Sequence, residues 1–229
     1  VFISSAAFQA DSHNALHSFV HADGGWHLMG CMLSAASCNK WLCDDILKTT
    51  DYAAEQRDIT PEKLGRNHVY FLPYLMGERS PINDTNARGT FIGMTMDTSR
   101  SDLVQAVLEG VAFAIRDSFE VARSLGLDIP SSKLCGGGSK SPLWRTIFAN
   151  VLGIPLELLK TEQGPGYGGA ILAMVGCGAY PSVQAAVGEL VEVASVVEPD
   201  EELPRRYEER YQQFRKLYPA LKQTFAQLL

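Results

Sequence analysis

The stretch Leu134-Cys135-Gly136-Gly137-Gly138-Ser139-Lys140-Ser141-Pro142-Leu143-Trp144 decides how this chain is read. A short apolar run stops at three consecutive glycines, and a helix start follows at once. Ser141 stands at the N-cap position, Pro142 suits the first helical position and Gly153 closes the segment. Glycine lets the backbone turn tightly and lets a ligand approach the main chain without meeting a Cβ. Amides at a helix start lack intrahelical partners and are free to face an anion or a nucleotide. The plain alternative is a strand-to-helix turn that simply needs small residues. Three glycines in a row exceed that need, so the stretch is read as a ligand-facing loop.

Working outward, residues 133–135 read as a strand, 142–152 as a helix and 155–160 as a second strand, which together make a βαβ unit. Gly164-Pro165-Gly166-Tyr167-Gly168-Gly169 then opens another helix over 170–175. Alternation of this kind predicts an α/β domain with its ligand at the carboxyl ends of the strands. Upstream, 102–125 is the clearest helix: Leu103, Val107, Val111, Ala114, Phe119, Ala122 and Leu125 fall near one stripe, and Gly126 stops it. Its alanines and Gly110 allow a close neighbour. Residues 1–8 and 26–32 read as strands around a polar loop at 9–25, and 33–47 as a helix. Residues 49–67 read as loop plus a short helix after Pro61, 69–74 as an apolar run, and 77–89 as loop. In the tail, Leu203, Tyr207, Tyr211, Phe214, Tyr218, Leu221, Phe225 and Leu228 step by three or four, and Pro219 predicts a break or kink. The tail is expected to strap onto its own domain, with a docking face for another subunit as the alternative, which sets 1–202 as the domain and 203–229 as its helical extension.

Composition narrows the classes. A chain of 229 residues, 46% hydrophobic and 20% charged, has material for one large core or two small ones. A net charge of −6 with no basic run argues against nucleic acid and anionic membrane as partners. The five cysteines form no CxxC pair and leave one over, which predicts reduced, buried thiols in a cytoplasmic protein. No apolar stretch approaches the roughly 20 residues that cross a bilayer. Val1-Phe2-Ile3 opens like a strand already under way, so a piece of a longer chain is expected.

Several motifs are weighed and set aside. A P-loop needs Gly before its Lys, and Ser139 precedes Lys140. A dinucleotide fingerprint is served by Gly136, Gly138 and the acidic Glu157, but Ser141 replaces its third glycine and Glu157 falls inside a strand pattern. Hydride transfer is therefore the second reading at this point. His13, His17 and His21 recur every four residues, yet Asp11, Ser12 and Asn14 make the segment loop-like, so they are read as surface residues rather than metal ligands. Asp44-Asp45 and Glu201-Glu202 read as solvated. Glu78-Arg79 suits an ion pair, an interface contact or, through Arg79, a phosphate.

A resemblance joins these pieces. Gly89-Thr90-Phe91-Ile92-Gly93-Met94, seven residues, then Asp102-Leu103-Val104-Gln105-Ala106-Val107-Leu108-Glu109 resembles the second signature of the FGGY carbohydrate kinases. The glycine turn with Leu143-Trp144 is similar to that family's adenosine-binding loop. Ala15 to Phe19, Trp26 to Met29, Leu33 to Cys38, and Phe71 to Tyr74 with Gly77-Glu78-Arg79 most resemble the bacterial xylulose kinases. The resemblance implies a ribonuclease-H-like fold of the actin/hexokinase/Hsp70 type, and this chain as the C-terminal lobe of a two-domain sugar kinase. It implies ATP and Mg2+, with Gly136, Gly137, Gly138, Ser139, Lys140, Ser141 and Ala36 on the nucleotide and the Mg2+ ligands mainly elsewhere. Ser141 sits where some relatives place an adenine-contacting asparagine, and Gly168 and Gly169 resemble a small-residue helix start beside the same cleft. The catalytic aspartate and the sugar pocket belong, in the family, to the N-terminal half, and a phosphate-binding hairpin would precede Val1. The implied reaction is D-xylulose to D-xylulose 5-phosphate; another sugar or polyol (gluconate, ribulose, glycerol) and a non-catalytic actin-like nucleotide module are the alternatives. A homodimer, and apolar surface where the other half would pack, are also implied.

Overall fold

The computed structural model describes residues 1–161 and 163–228. Strands β1 (Phe2–Ser5), β2 (His17–Val20) and β3 (Trp26–Met29) form an antiparallel sheet in the order β1-β3-β2, with Ile3 opposite Leu28. Alternation along the strands sends Ile3 and Leu28 inward onto Leu16 and Ala122. The outer face carries Phe2, 71% exposed, with the His27 ring between it and Phe19. Strand β2 falls inside the stretch read as polar loop; His17-Ser18-Phe19-Val20 takes its shape from pairing with β3, which local pattern does not reveal.

Helix α1 (Ser37–Lys40) runs straight into a π-helical turn at Trp41–Ile46, a shorter helix than the 33–47 expected. A second short helix, α2 (Tyr52–Gln56), is started by Asp51, whose carboxylate accepts the Ala54 N–H at 3.0 Å. The turn after Pro61 is a single 3-10 turn. Strands β4 (Tyr70–Leu72) and β5 (Thr90–Ile92) pair antiparallel.

The centre of the molecule is helix α3 (Arg100–Ser124). Ser99 and Asp102 form a reciprocal capping box at its start, which satisfies two otherwise orphaned donors. From residue 104 to 114 every side chain is buried, so the one-stripe expectation is corrected: β4, α1 and the helices that follow cover α3 on all sides. Gly110 is why β4 comes so close, because a Cβ there would stand 2.2 Å from the Phe71 carbonyl oxygen.

The βαβ unit forms as read. Strand β6 (Ser132–Leu134), helix α4 (Pro142–Leu152) and strand β7 (Leu156–Leu159) follow one another, with β6 and β7 parallel. Helix α5 (Gly164–Gly176) starts at the first glycine of its motif rather than after the last. Helix α6 (Val183–Leu190) leads into strand β8 (Val193–Val197), which pairs antiparallel to β7. Strands β1 and β6 are each an edge of their sheet. Residues of both line a cavity of about 580 Å³ together with Ile115, Phe119 and Phe148.

Helix α7 (Leu203–Gln227) passes through Pro219 as one helix, not two. Its Tyr207, Tyr211 and Phe214 surround the ring of Phe113 from α3. Arg210 forms an ion pair at 2.9 Å with the fully buried Glu109, whose other oxygen accepts from Tyr207 and Gln105. Among the described residues no helix is long and apolar enough to cross a membrane.

The thiols are all free, but only Cys38 and Cys43 are buried; Cys135 and Cys177 are exposed, against expectation. His17 is half-buried in β2 while His13 stands in solvent, so the three histidines share no helix face. Apolar surface is open where β1 and β2 present Phe2, Phe19 and Val20, and on α5 and β8 at Leu172 and Val193.

Candidate nucleotide cleft

The chain leaves β6 at Leu134 and turns at Gly136, whose φ of +88° only glycine adopts without strain. A 3-10 turn at Gly137–Lys140 follows. Ser139 is buried beneath it and donates through Oγ to the Gly136 carbonyl at 2.7 Å. Ser141 caps α4 by accepting the Trp144 N–H at 3.1 Å, and Gly153 ends the helix at φ +66°. Trp144 anchors the turn to the core: its indole N–H donates to the Leu108 carbonyl at 2.9 Å. A Cβ on Gly138 would stand 3.2 Å from that indole, whereas one on Gly137 would meet nothing within 4 Å.

Opposite the turn stand α1 and α2. Between these walls lies a cleft of about 740 Å³, the size of a small-ligand site. Ala36, Gly137, Gly138, Lys140 and Ser141 line it together, joined by Asn39, Lys40, Tyr52, Gln56, Pro142 and Trp144. Five of the seven residues picked from sequence thus meet across one space although about a hundred positions separate Ala36 from the turn. Gly136 and Ser139 do not line it; they shape the turn from behind. The start of α4 is not an open row of amides, because Pro142 has no N–H and Ser141 takes that of Trp144. What the turn offers is an absent side chain more than a set of donors.

The rim is charged. Lys40 pairs with Asp44, and Tyr52 Oη donates to the other Asp44 oxygen at 2.8 Å. The hydrogen bond from Lys40, then that from Tyr52, holds the Asp44 carboxyl below the usual range. Among the described residues no group of three His, Cys, Asp or Glu side chains is placed to hold a metal ion.

Other expected participants sit elsewhere. Glu157 pairs with Lys133 at 2.9 Å and accepts from Ser131, which removes it as a ribose ligand. Glu78 and Arg79 form no ion pair: Arg79 is exposed, while Glu78 is buried and accepts the Leu33 and Arg79 N–H groups at 2.9 and 2.8 Å. Burial pushes its carboxyl up to about 7, with the two N–H bonds acting the other way. Gly168 and Gly169 lie on the exposed part of α5 and do not line the cleft. Sequence reading missed the α2 wall altogether. Its one local signal was Asp51 ahead of Tyr52-Ala53-Ala54-Glu55, an N-cap pattern inside a polar run.

The family model described as the C-terminal domain of the FGGY family of carbohydrate kinases matches residues 2–177. A xylulose kinase of Escherichia coli K12 is 36% identical over 226 residues, 96% of this chain and 46% of that protein. One from Staphylococcus epidermidis is 33% identical over 215 residues, 93% of this chain and 43% of that protein. The crystal structure of a xyloylose kinase from Brucella ovis superposes with a TM-score of 0.88 at 37% identity, covering 97% of this chain and 46% of that one. The chain therefore spans slightly under half the length of these relatives, and it shares their α/β fold of the actin/hexokinase type.

Proposed function

The chain belongs to the FGGY family of carbohydrate kinases, as its C-terminal domain, and from that premise we propose that it is the nucleotide-binding half of an ATP-dependent sugar kinase acting on D-xylulose. The observation that carries the reading is the convergence of Ala36 with Gly137, Gly138, Lys140 and Ser141 on one cleft. The residues present suit the base and ribose of ATP. Gly137 leaves open the volume a side chain would fill, Pro142 and Trp144 give apolar wall, and Lys40 and Lys140 line the same cleft as cations that suit a polyphosphate. They do not suit Mg2+, so the divalent ion that accompanies ATP is not assigned to these side chains.

Phosphoryl transfer depends mostly on positioning and neutralising charge. On this reading the chain binds and orients the nucleotide, while the sugar pocket and the catalytic aspartate belong to the N-terminal half. The thiols, none of them in a disulfide, support a cytoplasmic location. Titration calorimetry of the 229-residue chain with ADP tests the proposal. Weak binding that Gly137→Val abolishes is the expected result; equal binding by both removes the turn from the site. Mixed with D-xylulose and ATP, the chain alone is expected to release no ADP, and steady turnover would show that the division of labour is wrong.

A further inference from the structure

Gln56 is the last residue of α2, and its side chain spans the cleft to the opposite wall, where Ser141 Oγ donates to its Oε1 at 2.5 Å. The same hydroxyl accepts the Trp144 N–H at 3.1 Å. The hydroxyl gives its one proton to the Gln56 oxygen, which holds the carboxamide with its oxygen toward α4. Among the described residues nothing accepts from Gln56 Nε2. The wall behind it is firm for so short a helix: Glu55 meets Arg100 through two bonds of 2.6 and 2.7 Å, and Tyr52 donates to Asp44. Paired, planar contacts of this kind fix geometry as well as add energy.

A pinned carboxamide with its amine and one oxygen lone pair unused presents a donor and an acceptor side by side. Along its N7 edge adenine answers that pattern with an amine beside a ring nitrogen, whereas guanine offers two acceptors, O6 and N7, along that edge and sets one against the amide oxygen. We propose that Gln56 is the base-reading residue of this cleft, held by Ser141 so that it selects adenine over guanine. The inference rests on the nucleotide reading above and gives that site its specificity determinant. The Ser141 hydroxyl is spent on holding the amide and on capping α4.

The test is calorimetry with ADP and GDP on the wild-type chain, Gln56→Leu and Gln56→Glu, with melting temperatures confirming that each variant is folded. Wild type is expected to prefer ADP. Gln56→Leu keeps the volume but not the amide, so ADP affinity should fall roughly three- to tenfold, the worth of one or two net hydrogen bonds, with little change for GDP. Gln56→Glu should lose more, since a carboxylate not only lacks the donor but sets a negative charge against the lone pair of the ring nitrogen. An unchanged ADP-to-GDP ratio in Gln56→Leu, with wild type binding ADP, overturns the assignment and leaves the nucleotide cleft standing. Failure of the wild-type chain to bind either nucleotide overturns both.

Discussion

Helix α3 and the turn at 136–141 lie one behind the other, joined by the Trp144 indole bonded to the Leu108 carbonyl, and they treat empty space in opposite ways. Along α3 the chain removes space. Gly110 is needed because β4 presses on it, and the fully buried carboxylate of Glu109 is met by Arg210, Tyr207 and Gln105. At the turn the chain keeps space open: Gly137 faces no atom within 4 Å, and Gln56 leaves its amine unused. A closely packed interior cannot lose a partner cheaply, whereas an open cleft loses only what a ligand would have contributed. Stability and recognition are thereby housed in neighbouring but separable parts.

The largest test of that separation is Glu109→Ala. Leaving Arg210 buried without its carboxylate should cost about 3–5 kcal/mol, read as a shifted midpoint in urea unfolding. A loss under about 1 kcal/mol would mean that α3 is not the packed counterpart described here. Next comes Gly110→Val, whose Cβ would overlap the Phe71 carbonyl; overpacking of this kind costs about 1–3 kcal/mol, and a variant as stable as wild type would show that β4 yields.

Glu78 sharpens the comparison through pH. An unfolded glutamate ionises near pH 4.5, while this one holds its proton to about 7. Between those values the unfolded chain binds fewer protons, so stability should fall as pH rises from about 4.5 to 7, by roughly 1–3 kcal/mol. Glu78→Gln keeps the buried group neutral and should flatten that slope; an unaltered slope would assign it to another group. The smallest expected effect on stability is that of Gly137→Val. Its side chain enters open space, so unfolding should move by less than about 0.5 kcal/mol even as nucleotide binding is lost. A strongly destabilised Gly137→Val would erase the contrast between the two regions.

Much of this was legible in the residues. Ser141-Pro142 and Gly153 bracket α4 at the positions where the helix begins and ends, because capping is local chemistry that acts within four residues. The parallel β6-α4-β7 unit followed from the same short-range signals. Strands β2, β5 and β8 and helices α2 and α6 were not seen. They are three to eight residues long and owe their shape to a partner: β2 to β3, β5 to β4, β8 to β7, α6 to α5. The ion-pair reading of Glu78-Arg79 failed for the same reason. Adjacent opposite charges suggest a pair, but the fold buries one and exposes the other.

By itself the sequence determined the glycine turn, the capped helix behind it and the family signature, since each is written in contiguous residues whose conformational preferences need no distant contact. Only the tertiary structure decided that Ala36 and Gln56 stand across from that turn, that residues 104–114 of α3 are enclosed on every side, and that burial raises the Glu78 carboxyl to about 7. Those facts depend on which surfaces meet and how much water they exclude, and no local pattern of side chains encodes either.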